Sequence, residues 1–416
     1  MKRITIIFIL FISLIHPQKI LIPMDQTQND HLKAYGIAYY VLKRNINVEW
    51  LLNFQGGSFL IDNHPFIQAE CKIRGVSFLE LGDELLDIYS TIEENNMDIV
   101  LLEKAPNIAI YSPPNKQPWD DAVTLALTYA EVDYKTLWDE EVINNTLDKY
   151  DWLHLHHEDF TGQYGKFYRN YHNAPWYIEQ KTRFENLAKK FGMKSVHEEK
   201  KAISRIIKNY ISNGGFLFAM CSATDSYDIA LSLENIDGVH SVFDGTPIDK
   251  DIVDKIDFSK SLAFTNYKIY TDPMIYEFSD IDYPPSHNPI TRGAEADYFS
   301  LFEFSAKYDP VPTMLTQNHV PIVKGFMGQT TGFNKNMIKN HVIIMGEDPA
   351  SDQVKYLHGN FGKGTYTFYG GHDPEDYQHF VGDPPTDLSL HRNSPGYRLI
   401  LNNILFPAAR KKEKKT

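Results

Sequence analysis

The chain has 416 residues and a formal net charge of −13, with 43% hydrophobic and 23% charged residues. This length suits two or three domains, and the composition is that of a water-soluble globular protein. Contacts with a phosphate backbone need clustered Lys and Arg, so an acidic chain of this kind predicts no nucleic-acid partner.

The N-terminus has the pattern of a secretion signal. Lys2 and Arg3 precede an almost wholly apolar run from Ile4 to Ile15, which is too short for a standard membrane span. We expect residues 1–18 to be a signal peptide or an uncleaved N-terminal anchor and the protein to be exported to the periplasm. Membrane contact is then expected only through this segment. At the other end, residues 410–416 form a basic tail.

The first folded region is expected over residues 19–104. Lys19 to Met24 reads as a strand, apolar residues from Leu32 to Leu42 recur at helical spacing, and Asn47 to Leu52 reads as a second strand. A strand, a helix and a strand in succession predict a βαβ unit with parallel strands.

The same rhythm repeats over residues 105–235 and returns over residues 341–409. The interval 236–340 is rich in Pro, Tyr and Phe and predicts an irregular insertion or lid. The fold class predicted for the chain is therefore α/β, with a doubly wound, mostly parallel sheet of flavodoxin-like type. Ligands of such sheets bind beyond the carboxyl ends of the strands.

Cys221 follows one such strand directly. Phe216 to Met220 are apolar, and a helix is expected to begin just after the cysteine, so the thiol would lie on a tight turn beside free backbone N–H groups. The alternative is a buried structural cysteine. Cys71 is the only other cysteine, and a single bridge between the two is possible in an exported protein.

A histidine-rich loop follows another strand and reads His-Leu-His-His-Glu-Asp from His154 to Asp159. Three imidazoles and two carboxylates within six positions have the composition of a metal site. The alternative is a polar, hydrogen-bonded loop that lines a pocket. Further along, a predicted hairpin leads to His372 and Glu375, which could act as a base and its orienting carboxylate.

The order of these features resembles the class I glutamine amidotransferase-like fold. The residues that carry the likeness are Phe-Leu-Phe-Ala-Met-Cys-Ser-Ala from Phe216 to Ala223, the Gly-Lys-Gly hairpin at Gly362, and the loop after it. The resemblance implies a nucleophile at Cys221, a base at His372 and a carboxylate at Glu375.

Over the full length, the chain is similar to exported bacterial proteins labelled asparagine synthetase B. Lys149 to Phe167, Met220 to Ala230 and Gly362 to Asp387 carry this likeness. Synthetase activity needs an N-terminal cysteine and a glycine-rich pyrophosphate loop. Lys2 follows Met1, and no such loop is present, so ATP-driven synthesis is not predicted.

The leading functional hypothesis is a cysteine-dependent amidase or related hydrolase that needs no cofactor and acts on a small amide, a peptide or a glycan. Its expected catalytic residues are Cys221, His372 and Glu375, and its expected binding residues are Ser222, His156, His157, Glu158 and Asp225. Two alternatives remain open. One is a non-catalytic module that binds a glycan or peptide. The other is a metal-dependent hydrolase that uses His154, His156, His157 and Asp159.

Overall fold

The computed structural model describes residues 19–114, 121–283, 298–325, 328–377 and 382–409. The predicted signal or anchor and the predicted basic tail lie outside these ranges. In the part of the chain that is described, no helix is both long enough and apolar enough to cross a membrane.

Strands and helices alternate along much of the chain. The strands are β1 Lys19–Ile22, β2 Val48–Leu52, β3 Ser58–Asp62, β4 Leu79–Leu81, β5 Asp98–Leu102, β6 Ile108–Tyr111, β7 Lys135–Leu137, β8 Trp152–Leu155, β9 Phe216–Met220, β10 Tyr298–Leu301, β11 Ile322–Lys324, β12 Phe333–Asn334, β13 Ile343–Glu347, β14 Gln353–Phe361 and β15 Gly364–Tyr369. The helices are α1 His31–Leu42, α2 Pro65–Arg74, α3 Glu84–Glu94, α4 Ala122–Ala130, α5 Asp139–Ile143, α6 Tyr168–Tyr171, α7 Pro175–Lys190, α8 Val196–Ser212, α9 Ser222–Ser232, α10 Ser241–Asp244, α11 Ile252–Lys255, α12 Pro310–Thr316 and α13 Pro395–Leu405.

The N-terminal region forms its own five-stranded sheet in the order β4-β1-β3-β2-β5, and every neighbouring pair is antiparallel. The predicted parallel pairing of β1 with β2 is therefore wrong, because β3 lies between these two strands and runs antiparallel to both. The reason lies in the short connection between β2 and β3, where Gly56 and Gly57 adopt φ values of 72° and 89°. A turn this short can join only antiparallel strands, so β3 takes the place beside β1 that β2 was expected to occupy.

The second sheet is mixed. Its order is β11-β10-β13-β14-β15-β9-β8-β6-β7, with β12 paired to β14. The neighbouring strands β15, β9, β8, β6 and β7 run parallel to one another. The remaining pairs, which involve β10 to β15, are antiparallel. The predicted doubly wound, mostly parallel sheet is therefore wrong.

Two features of the chain explain the antiparallel half. The described part of the insertion supplies strands β10, β11 and β12 to this sheet. The turn between β14 and β15 contains Gly362 with a φ of 60°, and a connection this tight fixes a hairpin. The hairpin itself was predicted from the sequence, and its strand pairing confirms it.

The last helix joins the two sheets. Arg398 on α13 is fully buried and donates to the carbonyl oxygens of Met24 and Gly56 at 2.8 and 2.7 Å. Asn402, one turn further along, donates to the carbonyl oxygens of Leu315 and Gln317. These bonds satisfy buried carbonyl groups that no strand ladder reaches. They fix α13 to the N-terminal region and to α12, and Asn403 of the same helix donates to the hydroxyl of Tyr356 on β14 of the second sheet.

Candidate metal centre

Four parallel strands deliver polar side chains to one edge of the second sheet. Asp121 follows β6, the histidine loop begins on β8, Cys221 follows β9, and His372 follows β15. Because the carboxyl ends of parallel strands meet at the same edge, residues far apart in the sequence come together there. The structure thus brings the histidine loop beside Asp121 and His372.

His154 has a fixed orientation within this cluster. Its Nδ1 lies 3.1 Å from the carbonyl oxygen of Phe218, on the neighbouring strand β9. A carbonyl only accepts hydrogen bonds, so Nδ1 carries the proton and Nε2 of the neutral ring presents a lone pair. The ring is fully buried, and burial lowers the pKa of His154, which favours this neutral form. Its Nε2 faces the carboxylate of Asp121.

Asp121 lies between two imidazoles. Its Oδ2 is 3.4 Å from Nε2 of His154, and its Oδ1 is 3.4 Å from Nδ1 of His156. Burial opposes the ionisation of Asp121, and a positive charge beside the carboxylate, on a protonated histidine or another cation, would lower its pKa. The carboxylate is itself fixed as the N-cap of α4, where Oδ1 accepts the N–H groups of Val123 and Thr124 at 2.8 and 2.9 Å.

The distances of 3.4 Å fit a shared cation better than hydrogen bonds. An N–H···O bond usually spans about 2.7–3.2 Å. Two ligand atoms at about 2.0–2.1 Å from a tetrahedral ion lie about 3.4 Å apart. One ligand atom from each of Asp121, His154 and His156 lies within 4.8 Å of the others. The carbonyl that fixes His154 is also the kind of outer partner that metal-bound histidines use.

A second group of three ligand atoms shares His156. The ligand atoms of His156, His157 and His372 also lie within 4.8 Å of one another. The rings of His156 and His372 are 4.6 Å apart, and His157 stacks on His372 with an interplanar angle of 11°. Burial, and then the neighbouring histidines, hold the pKa of His157 well below its usual range. Both ring nitrogens of His156 are buried and make no hydrogen bond to the described residues.

The backbone of the histidine loop is attached to helix α9. The N–H of Ala223 donates to the carbonyl of His156 at 2.9 Å, and the hydroxyl of Ser226 donates to the carbonyl of Glu158.

Burial, followed by the charge of Asp121, raises the pKa of Glu158 to about 8. A carboxyl group with a pKa in this range can accept or donate a proton near neutral pH.

Asp159, a candidate ligand from the sequence, has a different role. Its two oxygens accept hydrogen bonds from the backbone N–H groups of Thr161, Gln163 and Gly165, and from the hydroxyl of Thr161. These bonds hold the turn after the histidines. The carboxylate beside His154 comes from Asp121, which the sequence analysis did not select. The available signal was its place as an N-cap after a strand of the parallel sheet.

Cys221 lies at the turn between β9 and α9, as the sequence predicted, but its thiol is enclosed. The residue is 2% exposed, with a φ of 48° and a ψ of −138° that are unusual for a residue other than glycine. Burial raises the pKa of Cys221 to about 11, although the N–H groups of Thr330, Gln329 and Ser222 oppose the rise. The thiol form therefore dominates at neutral pH. Cys221 and Cys71 are both free, so they form no bridge.

The loop after His372 is held by Asp373. Its Oδ2 accepts the hydroxyl groups of Thr386 and Tyr397, each at 2.8 Å, and its Oδ1 accepts the N–H of Glu375. The Glu375 carboxylate lies 3.1 Å from Nδ1 of His391. The structure thus brings His372 to the histidine loop and pairs Glu375 with a different imidazole. The catalytic triad of Cys221, His372 and Glu375 stays a prediction.

Ser222 and Asp225, both expected to bind substrate, are fully buried on α9. The Asp225 Oδ1 accepts the hydroxyl of Thr330 and the N–H of Ser226, each at 2.9 Å, whereas Oδ2 has no hydrogen-bond partner among the described residues. Burial raises the pKa of Asp225 to about 7. Asp225 is therefore a buried carboxyl group on α9 that resists ionisation.

We expect Asp225→Asn to change the pH dependence of stability. A folded-state pKa raised from 3.8 to about 7 gives stability that is complete below pH 4 and is lost as pH rises through 7. The amide keeps both acceptor contacts and cannot ionise. The free energy of unfolding of the variant relative to wild type should rise by about 2–3 kcal/mol between pH 5 and pH 8. Urea denaturation at both pH values measures this, and an unchanged difference would contradict it.

Comparison with known proteins gives only weak structural likenesses. No family model and no curated protein matches the sequence. Cytoplasmic protein STM3548 from Salmonella typhimurium is 11% identical, with 74% of this chain and 100% of that chain covered and a TM-score of 0.35. Cytoplasmic protein STM1381 from Salmonella typhimurium LT2 is 10% identical, with 73% of this chain and 100% of that chain covered and a TM-score of 0.33. Gan42B, a GH42 beta-galactosidase from G. stearothermophilus, is 9% identical, with 65% of this chain and 28% of that chain covered and a TM-score of 0.26. No family is assigned by these likenesses.

Proposed function

We propose that the protein is a metal-dependent hydrolase whose ion is held by Asp121, His154 and His156. The observation that carries this proposal is the arrangement of the carboxylate between two buried imidazoles at 3.4 Å from each. His154 points a lone pair at this carboxylate, because its other nitrogen donates to a backbone carbonyl. Two atoms with lone pairs face each other only where something positive lies between them.

A cation fits that position better than a second proton on an imidazole. Protonating His154 would place a charge in a fully buried ring, and burial already lowers the pKa of this residue. A divalent cation is stabilised instead by the ionised carboxylate of Asp121 and by the nitrogens of His154 and His156. The donor set of two nitrogens and a carboxylate suits Zn²⁺, Mn²⁺ or Fe²⁺.

The remaining groups at the edge of the sheet would serve the reaction. A cation held by Asp121, His154 and His156 would supply Lewis acidity and would lower the pKa of a bound water. Glu158, with a pKa raised to about 8, would accept the proton from that water and return it to the leaving group. His157 and His372, which adjoin His156, would orient the water or the substrate carbonyl.

The test is hydrolysis before and after removal of metal. Purified protein would be assayed on esters, amides, peptides and glycosides, dialysed against a chelator, and assayed again after addition of Zn²⁺, Mn²⁺ or Fe²⁺. We expect activity to be lost on chelation and restored by at least one of these metals. Full activity in chelated protein that contains no measurable metal would rule the proposal out.

A thiol hydrolase is the second candidate, and the backbone of Cys221 favours it. A non-glycine residue with a φ of 48° between a strand and a helix resembles a nucleophile turn, and three N–H groups approach its sulfur. The enclosed, protonated thiol weighs against this candidate.

Cys221→Ala separates the two candidates. We expect this variant to keep wild-type Zn²⁺ affinity and at least half of the metal-restored hydrolytic rate, because the thiol is not a member of the ligand set. The measurement is the rate on the best substrate from the panel, with circular dichroism as the check on folding. A loss of activity above about 1,000-fold in a folded variant would instead identify Cys221 as the nucleophile.

A further inference from the structure

A second group of potential ligands lies away from the sheet edge, at the N-terminal end of α8. His197 from this helix, Asp237 and Asp244 each offer one ligand atom, and these atoms lie within 4.8 Å of one another. All three residues line a cavity of about 630 Å³. None of the three belongs to the candidate metal centre or was selected from the sequence.

The hydroxyl of Thr246 lies between the carboxylates of Asp237 and Asp244. Its hydroxyl oxygen is 2.8 Å from Oδ2 of Asp237 and 2.7 Å from Oδ2 of Asp244. One hydroxyl has one proton and can donate to only one of these oxygens. Within the described residues, neither carboxylate forms an ion pair with a lysine or arginine. One carboxylate oxygen therefore faces the hydroxyl without a hydrogen bond.

His197 provides the independent observation. The residue is 8% exposed, and its Nε2 lies 3.5 Å from Oδ2 of Asp244, beyond an ordinary hydrogen bond. Its Nδ1 is buried and makes no hydrogen bond with the described residues. The imidazole therefore lies beside the carboxylate of Asp244 without an ordinary hydrogen bond to it.

We propose that His197, Asp237 and Asp244 form a second divalent-cation site, separate from the candidate metal centre. One imidazole nitrogen and two carboxylate oxygens suit a transition-metal ion such as Zn²⁺ or Mn²⁺. An ion there would connect α8 to the segment 236–249, which also meets the helix through the bond from Lys201 to the carbonyl of Ile236. The backbone of Gly162, in the turn after the histidine loop, packs directly on His197. The second site therefore adjoins the turn that follows the histidine loop.

The experiment counts ions in full-length protein carrying His156→Ala, so that the candidate metal centre does not contribute. Chelator-treated protein would be titrated with Zn²⁺, and bound metal would be measured by mass spectrometry after dialysis. We expect one equivalent of Zn²⁺ per chain to remain bound to the His156→Ala protein. Adding His197→Gln should remove it or weaken its binding more than about 10-fold. Adding Asp254→Asn, which removes an exposed carboxylate outside the group, should leave it in place.

Folding is checked by circular dichroism, and Asp244→Asn takes the place of His197→Gln if that variant is unfolded. The proposal is overturned if the His156→Ala background binds no Zn²⁺, or if a folded variant of His197 or Asp244 keeps wild-type affinity. Because every protein in this series lacks His156, these outcomes do not depend on whether the proposed hydrolase function is correct.

Discussion

Replacing His156 by Ala should weaken Zn²⁺ binding at the sheet edge by more than about 100-fold. Loss of an outer-sphere partner typically costs 10–100-fold in metal affinity, and the loss of a direct ligand costs more. His156 belongs to both groups of potential ligands at this edge, and both of its ring nitrogens are buried there. Competition with a chromogenic chelator measures the affinity of each protein.

His172→Ala is the matched control for this prediction. His172 is an exposed histidine just after α6, and its ring nitrogens contact the carbonyl of Tyr168 and the side-chain amide of Asn173. We expect its removal to leave Zn²⁺ affinity at the sheet edge unchanged. Equal affinities for wild type, His156→Ala and His172→Ala would show that the histidine loop is not the binding site.

Replacing Lys200 by Met should lower the free energy of unfolding by about 3–5 kcal/mol. Lys200 on α8 and Asp139 at the start of α5 are 1% and 0% exposed, and Nζ lies 2.7 and 3.0 Å from the two carboxylate oxygens. The Lys200 ammonium also donates to the hydroxyl of Tyr111, the last residue of β6. Methionine fills a similar volume but leaves the carboxylate buried without its cation. Chemical denaturation at pH 7 measures the change.

Lys190→Met provides a comparison with the same chemistry at the surface. Lys190 and Glu140 also form an ion pair at 2.7 Å, but their side chains are 55% and 48% exposed. Such a pair contributes about 0.2–1 kcal/mol because water already solvates both charges. If the two variants lose the same stability, burial is not what makes the Lys200 pair important.

The local elements of the fold were easier to predict from the sequence than their pairing. The hairpin of β14 and β15 follows from a Gly-Lys-Gly turn between two apolar runs, and it is confirmed. The direct pairing of β1 with β2 at the N-terminus was wrong, because the turn at Gly56 and Gly57 places β3 between them. Hydrophobic periodicity identifies a strand but does not say which neighbour it meets or in which direction.

Only part of the candidate site was predictable from the sequence, because the rest of it depends on which strands are neighbours in the sheet. The histidine loop was visible as a dense run of ligand-type residues from His154 to Asp159. Asp121 was not, because its role depends on the sheet order that places the end of β6 beside β8. Asp159 has the composition of a ligand, but its oxygens accept hydrogen bonds from its own loop. Ligand type can be read from a sequence, whereas the direction of a side chain depends on the fold.

An anomalous difference map from crystals grown with Zn²⁺, with data collected above and below the zinc absorption edge, tests the metal centre most directly. We expect a peak within about 2.0–2.2 Å of Nε2 of His154, a ring nitrogen of His156 and a carboxylate oxygen of Asp121. A map in which zinc occupies other sites, and none lies among these three side chains, would contradict the proposed metal centre.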